Sequence, residues 1–197
     1  MPPSVDCRRV WIKGASGAGK TTLAKEVARR LGLDHVELDA LHHDAGWTAA
    51  PAALLQERVT RALDDERGWV VDGNYDSKLG ALVLERAQLI VWLDLPLGTK
   101  LVRLAARTLR RWLTSEELWN GNRENLKGAF WGGDALFTWA VRSHFRHRRE
   151  WLSKHSGRPL VRLRSPREVA AWLATVGPTA PRSAISSSGP RGSHPGC

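Results

Sequence analysis

The stretch that most limits what this chain can fold into is Val10-Trp11-Ile12-Lys13-Gly14-Ala15-Ser16-Gly17-Ala18-Gly19-Lys20-Thr21-Thr22. It reads as a short buried strand, a glycine-rich turn and the first turn of a helix. Gly14-x4-Gly19-Lys20-Thr21 has the spacing of a phosphate-binding loop. Gly14, Gly17 and Gly19 accept backbone angles and close approaches that a Cβ forbids. The amides of the loop, with Ala15, Ser16 and Ala18 between the glycines and Thr22 behind them, can turn inward as an anion nest at the positive end of the next helix. Lys20 brings a point charge to terminal phosphates, and the Thr21 hydroxyl suits Mg²⁺. ATP and Mg²⁺ are therefore the expected cofactors.

Around this loop, strands alternate with helices. Leu23, Val27, Ala28 and Leu31 recur at helical spacing, and Gly32 stops that helix. Further strands are expected at residues 35–39, 68–73, 89–94 and 159–163, and helices over 51–63, 76–86, 97–113, 136–152 and 165–176, with a loop over 40–50. In the helix over 97–113, Leu101, Leu104 and Leu109 are expected to face inward. Ser165-Pro166-Arg167-Glu168 has a cap, a first-turn proline and a glutamate in capping-box order. Five strands alternating with helices predict a parallel sheet covered on both faces, a three-layer α/β/α fold. One domain is expected over residues 1–176, followed by a disordered tail over 177–197 that is rich in Pro, Gly, Ser and Arg.

Three carboxylates converge on the rim that holds the loop, because ligands of such sheets bind outside the carboxyl ends of the strands. Asp72, at the end of an apolar strand, is the expected ligand of Mg²⁺ or its water, with Asp94 as the rival. Either carboxylate could instead cap the next turn. Asp39 could orient an acceptor hydroxyl or act as its general base. His42 and His43 with Asp44 suggest a metal, but adjacent histidines do not easily reach one ion, and contact with an acceptor fits better. Trp47 could stack on a base or sugar ring, whereas Trp69, Trp92 and Trp172 sit at core-like positions.

Arginines are the second strong signal. Between Arg103 and Arg167 there are fifteen Lys or Arg and five acidic residues. Arg107 and Arg111 lie one turn apart, and Arg123 sits in the Gly/Asn-rich run Trp119-Asn120-Gly121-Asn122-Arg123-Glu124. This pattern suits a lid, over about residues 107–149, that brings cations to a transferring phosphoryl group. Arg142, Arg146 and Arg149 share a helix face and would form its second arm. A formal charge of +10 predicts an anionic partner, and the basic 103–167 segment also permits nucleic-acid binding. Two cysteines, Cys7 and Cys197, imply no disulfide framework. No apolar run reaches the length of a membrane span and the first residues lack the pattern of a signal peptide, so a cytoplasmic location is expected.

These residues resemble the small P-loop kinases of the adenylate kinase-like group. The finer resemblance is to bacterial proteins labelled "DNA topology modulation" or adenylate kinase-like ATPases. It is carried by residues 14–22, Leu38-Asp39-Ala40-Leu41 with Gly46-Trp47, Val71-Asp72-Gly73-Asn74-Tyr75, and Leu163-Arg164-Ser165-Pro166-Arg167-Glu168. It implies a P-loop NTPase fold and an ATP- and Mg²⁺-dependent phosphotransferase. Lys20, Asp39, Arg107, Arg111 and Arg123 would be catalytic, and Thr21 and Asp72 would serve the metal. Arg164 and Arg167 would lie near the adenine, and Asp39, His42, Trp47, Gly73, Asn74 and Tyr75 near the acceptor. Asn74-Tyr75 stands where adenylate kinases carry Pro-Arg, so the resemblance supplies no arginine there for a monophosphate. The expected partners are ATP and a small phosphorylatable acceptor, with a monomer or homodimer as the assembly. A nucleotide-gated nucleic-acid-binding regulator is the alternative.

Overall fold

The computed structural model describes residues 7–64, 66–114, 117–122, 151 and 159–177. Arg123, Arg142, Arg146 and Arg149, the expected helix over 136–152 apart from Trp151, and the expected tail apart from Gly177 lie outside the described residues.

Strand β1 (Arg9–Gly14) leads through the glycine loop into helix α1 (Lys20–Leu31), and β2 (Asp34–Glu37) follows. A short helix α2 (Leu38–His42) leads to a hairpin, β3 (His43–Asp44) and β4 (Thr48–Ala49). Then come α3 (Ala52–Ala62), β5 (Trp69–Asp72), α4 (Asp76–Leu79), α5 (Leu82–Arg86), β6 (Leu89–Leu93), α6 (Leu97–Leu113), β7 (Leu160–Leu163) and α7 (Pro166–Thr175). The sheet has the order β2-β5-β1-β6-β7, with every pairing parallel. This is the three-layer α/β fold expected from the sequence. β1 is central, so the loop at its end sits mid-sheet.

The alternation of β1 builds two cores. Val10 and Ile12 join Ala24 and Val27 of α1 and Trp172 of α7 on one face. Trp11 joins Leu55 and Val59 of α3, Val71, and Val83 of α5 on the other. Side chains of one strand point alternately to opposite faces, so six residues of β1 can serve both layers. Each large apolar side chain buried this way contributes about 1.5–3 kcal/mol. Trp69, Trp92 and Trp172 are buried, as their positions suggested.

Several local expectations need correction. The second strand ends at Glu37, and Asp39 begins a helix rather than ending a strand. Val36 and Leu38 would share one strand face; instead the chain turns, and Leu38 is buried in α2 against Gly73. A Cβ on Gly73 would lie 2.7 Å from that of Leu38, so the bare glycine makes room for the turn. The expected loop over 40–50 is thus the end of α2 followed by the hairpin. The expected helix over 76–86 is two, broken at Gly80 with φ +57°. On α6 the fully buried stripe is Lys100, Leu104 and Thr108, at i, i+4 and i+8. Leu109 is exposed, because five residues past Leu104 is well off that face.

At α7 the Ser165 hydroxyl accepts from the Glu168 amide at 3.1 Å, while the Glu168 carboxylate accepts from the Arg164 amide at 2.8 Å. The cap is therefore reciprocal, reaching one residue further back than the usual box. Among the described residues no helix is long and apolar enough to cross a membrane.

Candidate functional site

The loop after β1 opens onto a cleft of about 1730 Å³. Ser16, Gly17, Ala18, Gly19, Lys20, Thr21 and Thr22 line it, while Gly14 and Ala15 do not. Ala15 is buried, and Gly14 packs under the loop, where an added Cβ would meet Leu93 at 3.0 Å. Gly17 (φ +77°) and Gly19 (φ +90°) take the left-handed backbone that favours glycine. At Gly17 a Cβ would sit 2.3 Å from the Lys100 carbonyl oxygen, so the loop lies directly on α6. Gly19 caps α1 with no side-chain hydrogen bond, and the first turn of α1 holds no acidic residue. The N-terminal amides of this 12-residue helix thus face the cleft without a built-in anion, a ready site for phosphate.

Behind the loop, the Thr21 hydroxyl stands between two carboxylates, 3.1 Å from Asp72 Oδ1 and 3.2 Å from Glu37 Oε1. Register explains the pairing, since Glu37 lies beside Asp72 and Asp72 beside Ile12 on adjacent strands. Asp72 is fully buried, and its other oxygen is 2.7 Å from His35 Nε2. Asp94 is placed differently. Its carboxylate is held by Arg162, with Nε at 3.0 Å, and that guanidinium also stacks on Trp92. Asp94 is thus committed to an ion pair across β6 and β7. Among the described residues no cluster of three or more His, Cys, Asp or Glu could hold a metal ion unaided. His42, His43 and Asp44 do not form such a cluster.

One wall of the cleft is cationic. Arg103, Arg107, Arg110 and Arg111 of α6 line it at i, i+4, i+7 and i+8, a single helix face. Arg103 reaches the loop, with Nη1 3.4 Å from the Ala18 carbonyl oxygen. The wall across the loop is acidic and aromatic, and Glu37, Asp39, His42, His43, Trp47, Tyr75 and Trp119 line it. The Tyr75 hydroxyl donates to Asp39 Oδ1 at 2.6 Å. Burial first, and then the Asp39 carboxylate, push that hydroxyl well above the ordinary phenol range, so it stays a donor. Burial, reinforced by Lys78 and His43, pushes His42 down to about 4, so its imidazole is neutral at pH 7.

Trp47 is 41% exposed and has φ +58°, uncommon for a bulky residue. Its amide donates to Asn122 Oδ1 at 2.8 Å, and the amide group of the buried Asn122 donates to the carbonyls of Asp44 and Trp119. One asparagine thus pins residues 117–122 to the hairpin.

Other expected site residues are used differently. Asn74 does not line the cleft; its side chain clamps the Gly14 backbone, donating to the carbonyl at 2.7 Å and accepting from the amide at 3.3 Å. Gly73 is a packing residue under Leu38, and its carbonyl accepts from Trp11 Nε1 at 3.1 Å. Arg164 and Arg167 are exposed and do not line the cleft, whereas Pro166, Val169 and Leu173 do.

Glu37, His35, Trp119 and Asn122 were not singled out from the sequence. Glu37 had a readable signal: it is two residues before Asp39 and directly precedes the turn. His35 had none, because only strand register brings it to Asp72.

No family model matches the chain. Its curated relatives include the cytidylate kinases of Natronomonas pharaonis and Haloquadratum walsbyi. The first is 30% identical over 110 residues, 50% of this chain and 57% of the relative. The second is 28% identical over 123 residues, 54% of this chain and 62% of the relative. The chain spans little more than half the length of the curated relatives it matches. Solved structures with a related chain path include the shikimate kinase of Bacteroides thetaiotaomicron, at 16% identity and TM-score 0.49, covering 85% of this chain and 95% of that one. A gluconokinase of Sinorhizobium meliloti stands at 19% identity and TM-score 0.46, covering 84% and 91%. The chain's sequence likeness lies among kinases.

Proposed function

We propose that this protein is an ATP- and Mg²⁺-dependent phosphotransferase acting on the hydroxyl of a small acceptor. The observation that supports it most is the uncapped N-terminus of α1 opening into a cleft with a cationic wall on one side and Asp39 on the other. A transferring phosphoryl group calls for positioning and for cations at developing charge, and little else from the protein. The resemblance to the adenylate kinase-like group belongs to this proposal, and so does the assignment of residues to roles.

Lys20 and the loop amides hold the terminal phosphates. Thr21, with Asp72 and Glu37 on either side of its hydroxyl, is the oxygen set that would hold Mg²⁺ directly or through water. When bound, the ion neutralises phosphate charge. Asp39 receives the hydroxyl proton of the acceptor, and the Tyr75 hydrogen bond fixes the carboxylate for that task. Arg107 and Arg111 stabilise charge on the transferring group, and Arg123 is proposed to join them from the adjoining segment. The acceptor oxygen forms its bond to the γ-phosphorus as the bond from that phosphorus to the bridging oxygen breaks, and ADP leaves with the electron pair.

The test is ADP release from Mg-ATP in the presence of candidate acceptors. Acceptor-dependent release that disappears in Lys20→Ala is expected. Release from no acceptor, or release indifferent to that substitution, overturns the proposal.

A further inference from the structure

We propose that Lys13 is a positioning residue of the phosphotransfer reaction: through Asp76 it holds the turn that carries Tyr75, and Tyr75 holds Asp39. The inference rests on the kinase reading above, with Asp39 as the base, and adds to it a residue that does not line the cleft.

Lys13 stands where a charge is hardest to accommodate. It is the last residue but one of β1, 1% exposed, and strand register sets it beside Trp92 of β6. Its ammonium lies 4.0 Å from the ring centre of Trp11 and 4.8 Å from that of Trp151. It pairs with Asp76, 63 residues further on, in the first turn of α4. Taking an ammonium out of water is costly, and the rings and the carboxylate only offset that cost. Well-packed apolar side chains in place of such a pair are often no less stable. Packing alone therefore does not call for a lysine at this position.

What the lysine does reach is the turn over residues 74–76, where three consecutive residues each grip a different place. Asn74 clamps the amide and carbonyl of Gly14, the Tyr75 hydroxyl donates to Asp39 at 2.6 Å, and Asp76 accepts from Lys13. Lys13 and Gly14 are neighbours, so the end of the central strand holds the backbone of Tyr75 from both sides. The clamp on Asn74 fixes only one of them. On the other side α4 is four residues long, has no side-chain cap and buries only Leu79, so little else in that helix resists a pivot. A pivot of one ångström is enough to lose a hydrogen bond of this length, and misplacing a catalytic group by as much slows transfer.

Tyr75 is the sole tyrosine of the chain, so tyrosine labelled with ¹³C at Cζ gives one NMR signal that reports on its hydroxyl. Asp39→Ala marks where that signal falls once the hydroxyl has lost its acceptor. Lys13→Met is expected to move the signal more than halfway to that mark. It is also expected to lower kcat about tenfold, with ATP KM within about twofold of the parent's. The rate is ADP release by the full chain from Mg-ATP with sugars, nucleosides and nucleoside monophosphates as acceptors. Lys13→Met/Asp76→Ala leaves neither charge unpaired, so its denaturation midpoint is expected near the parent's, while its signal and kcat remain as altered as in Lys13→Met. The double variant carries the test if Lys13→Met does not fold.

A tyrosine signal at the parent position, a kcat within about twofold of the parent's, or recovery of kcat in the double variant overturns the inference. If ADP release is acceptor-dependent and lost in Lys20→Ala, but the Lys13 variants match the parent, the positioning role fails and the kinase reading stands. If the parent transfers to none of these acceptors, both fail.

Discussion

The two sides of the cleft are built from different materials. The glycine loop on the donor side is nearly all backbone, with left-handed glycines, an uncapped helix end and one lysine within residues 16–22, and the arginine side chains of α6 stand beside it. The acceptor side is nearly all side chain: Glu37, Asp39, His43, Trp47, Tyr75 and Trp119, drawn from β2, α2, the hairpin, the turn after β5 and the segment after α6. In the proposed function, backbone binds what every ATP shares, so a fixed local motif suffices. Side chains bind what distinguishes one acceptor from another, so that wall is assembled from dispersed positions.

Substitutions can break this contrast or sharpen it. The largest effect is expected for Lys20→Ala, a loss of about a thousandfold or more in kcat/KM with little change in denaturation midpoint, read by steady-state kinetics. A small kinetic loss would mean that the amides alone suffice. Asp39→Asn should lower kcat about a hundredfold with ATP KM unchanged, since only the acceptor side loses a base. A parallel change in ATP KM would mean that the two sides are not separate.

Gly17→Ala tests the claim that the donor side is backbone. Its Cβ would meet the Lys100 carbonyl at 2.3 Å in a left-handed conformation, so about 2–4 kcal/mol of stability should be lost in chemical denaturation, together with ATP affinity. Asn74→Ala should cost about 1–2 kcal/mol, because the Gly14 amide and carbonyl lose their partner.

The smallest effect is pH dependence from the acceptor side. His42 has its folded pKa lowered to about 4 by burial, with Lys78 and His43 opposing its charge and Asp39 and Asp44 favouring it. The unfolded chain therefore binds more protons than the folded one between about pH 6.5 and 4. The contribution of neutral His42 is present above that window and is lost as pH falls through it. Denaturation midpoints of His42→Asn should fall less steeply across that range than those of the parent.

The same contrast governs what could be read from the chain. Residues 16–22 were legible because their chemistry is local: spacing, glycine and helix onset lie within one run. The five strands were legible from apolar runs ending in turn residues. Asp39 and Tyr75 were each noticed, but not that one would donate to the other, because they are 36 residues apart and meet only through folding. Asn74 was assigned to the acceptor by its neighbourhood, yet its amide matches the free pair of groups on Gly14. Asp72 and Asp94 looked alike at two apolar strand ends. Only strand order, which puts Thr21 near one and Arg162 near the other, tells them apart. Leu109 was misplaced because counting apolar residues along α6 ignored the buried Lys100 and Thr108.

Asn74 and Tyr75 are joined by one peptide bond. The first grips the strand that launches the glycine loop, and the second grips the carboxylate across the cleft. In the proposed function, a single planar link of fixed length therefore joins the residue that braces the nucleotide loop to the residue that holds the proton-accepting carboxylate.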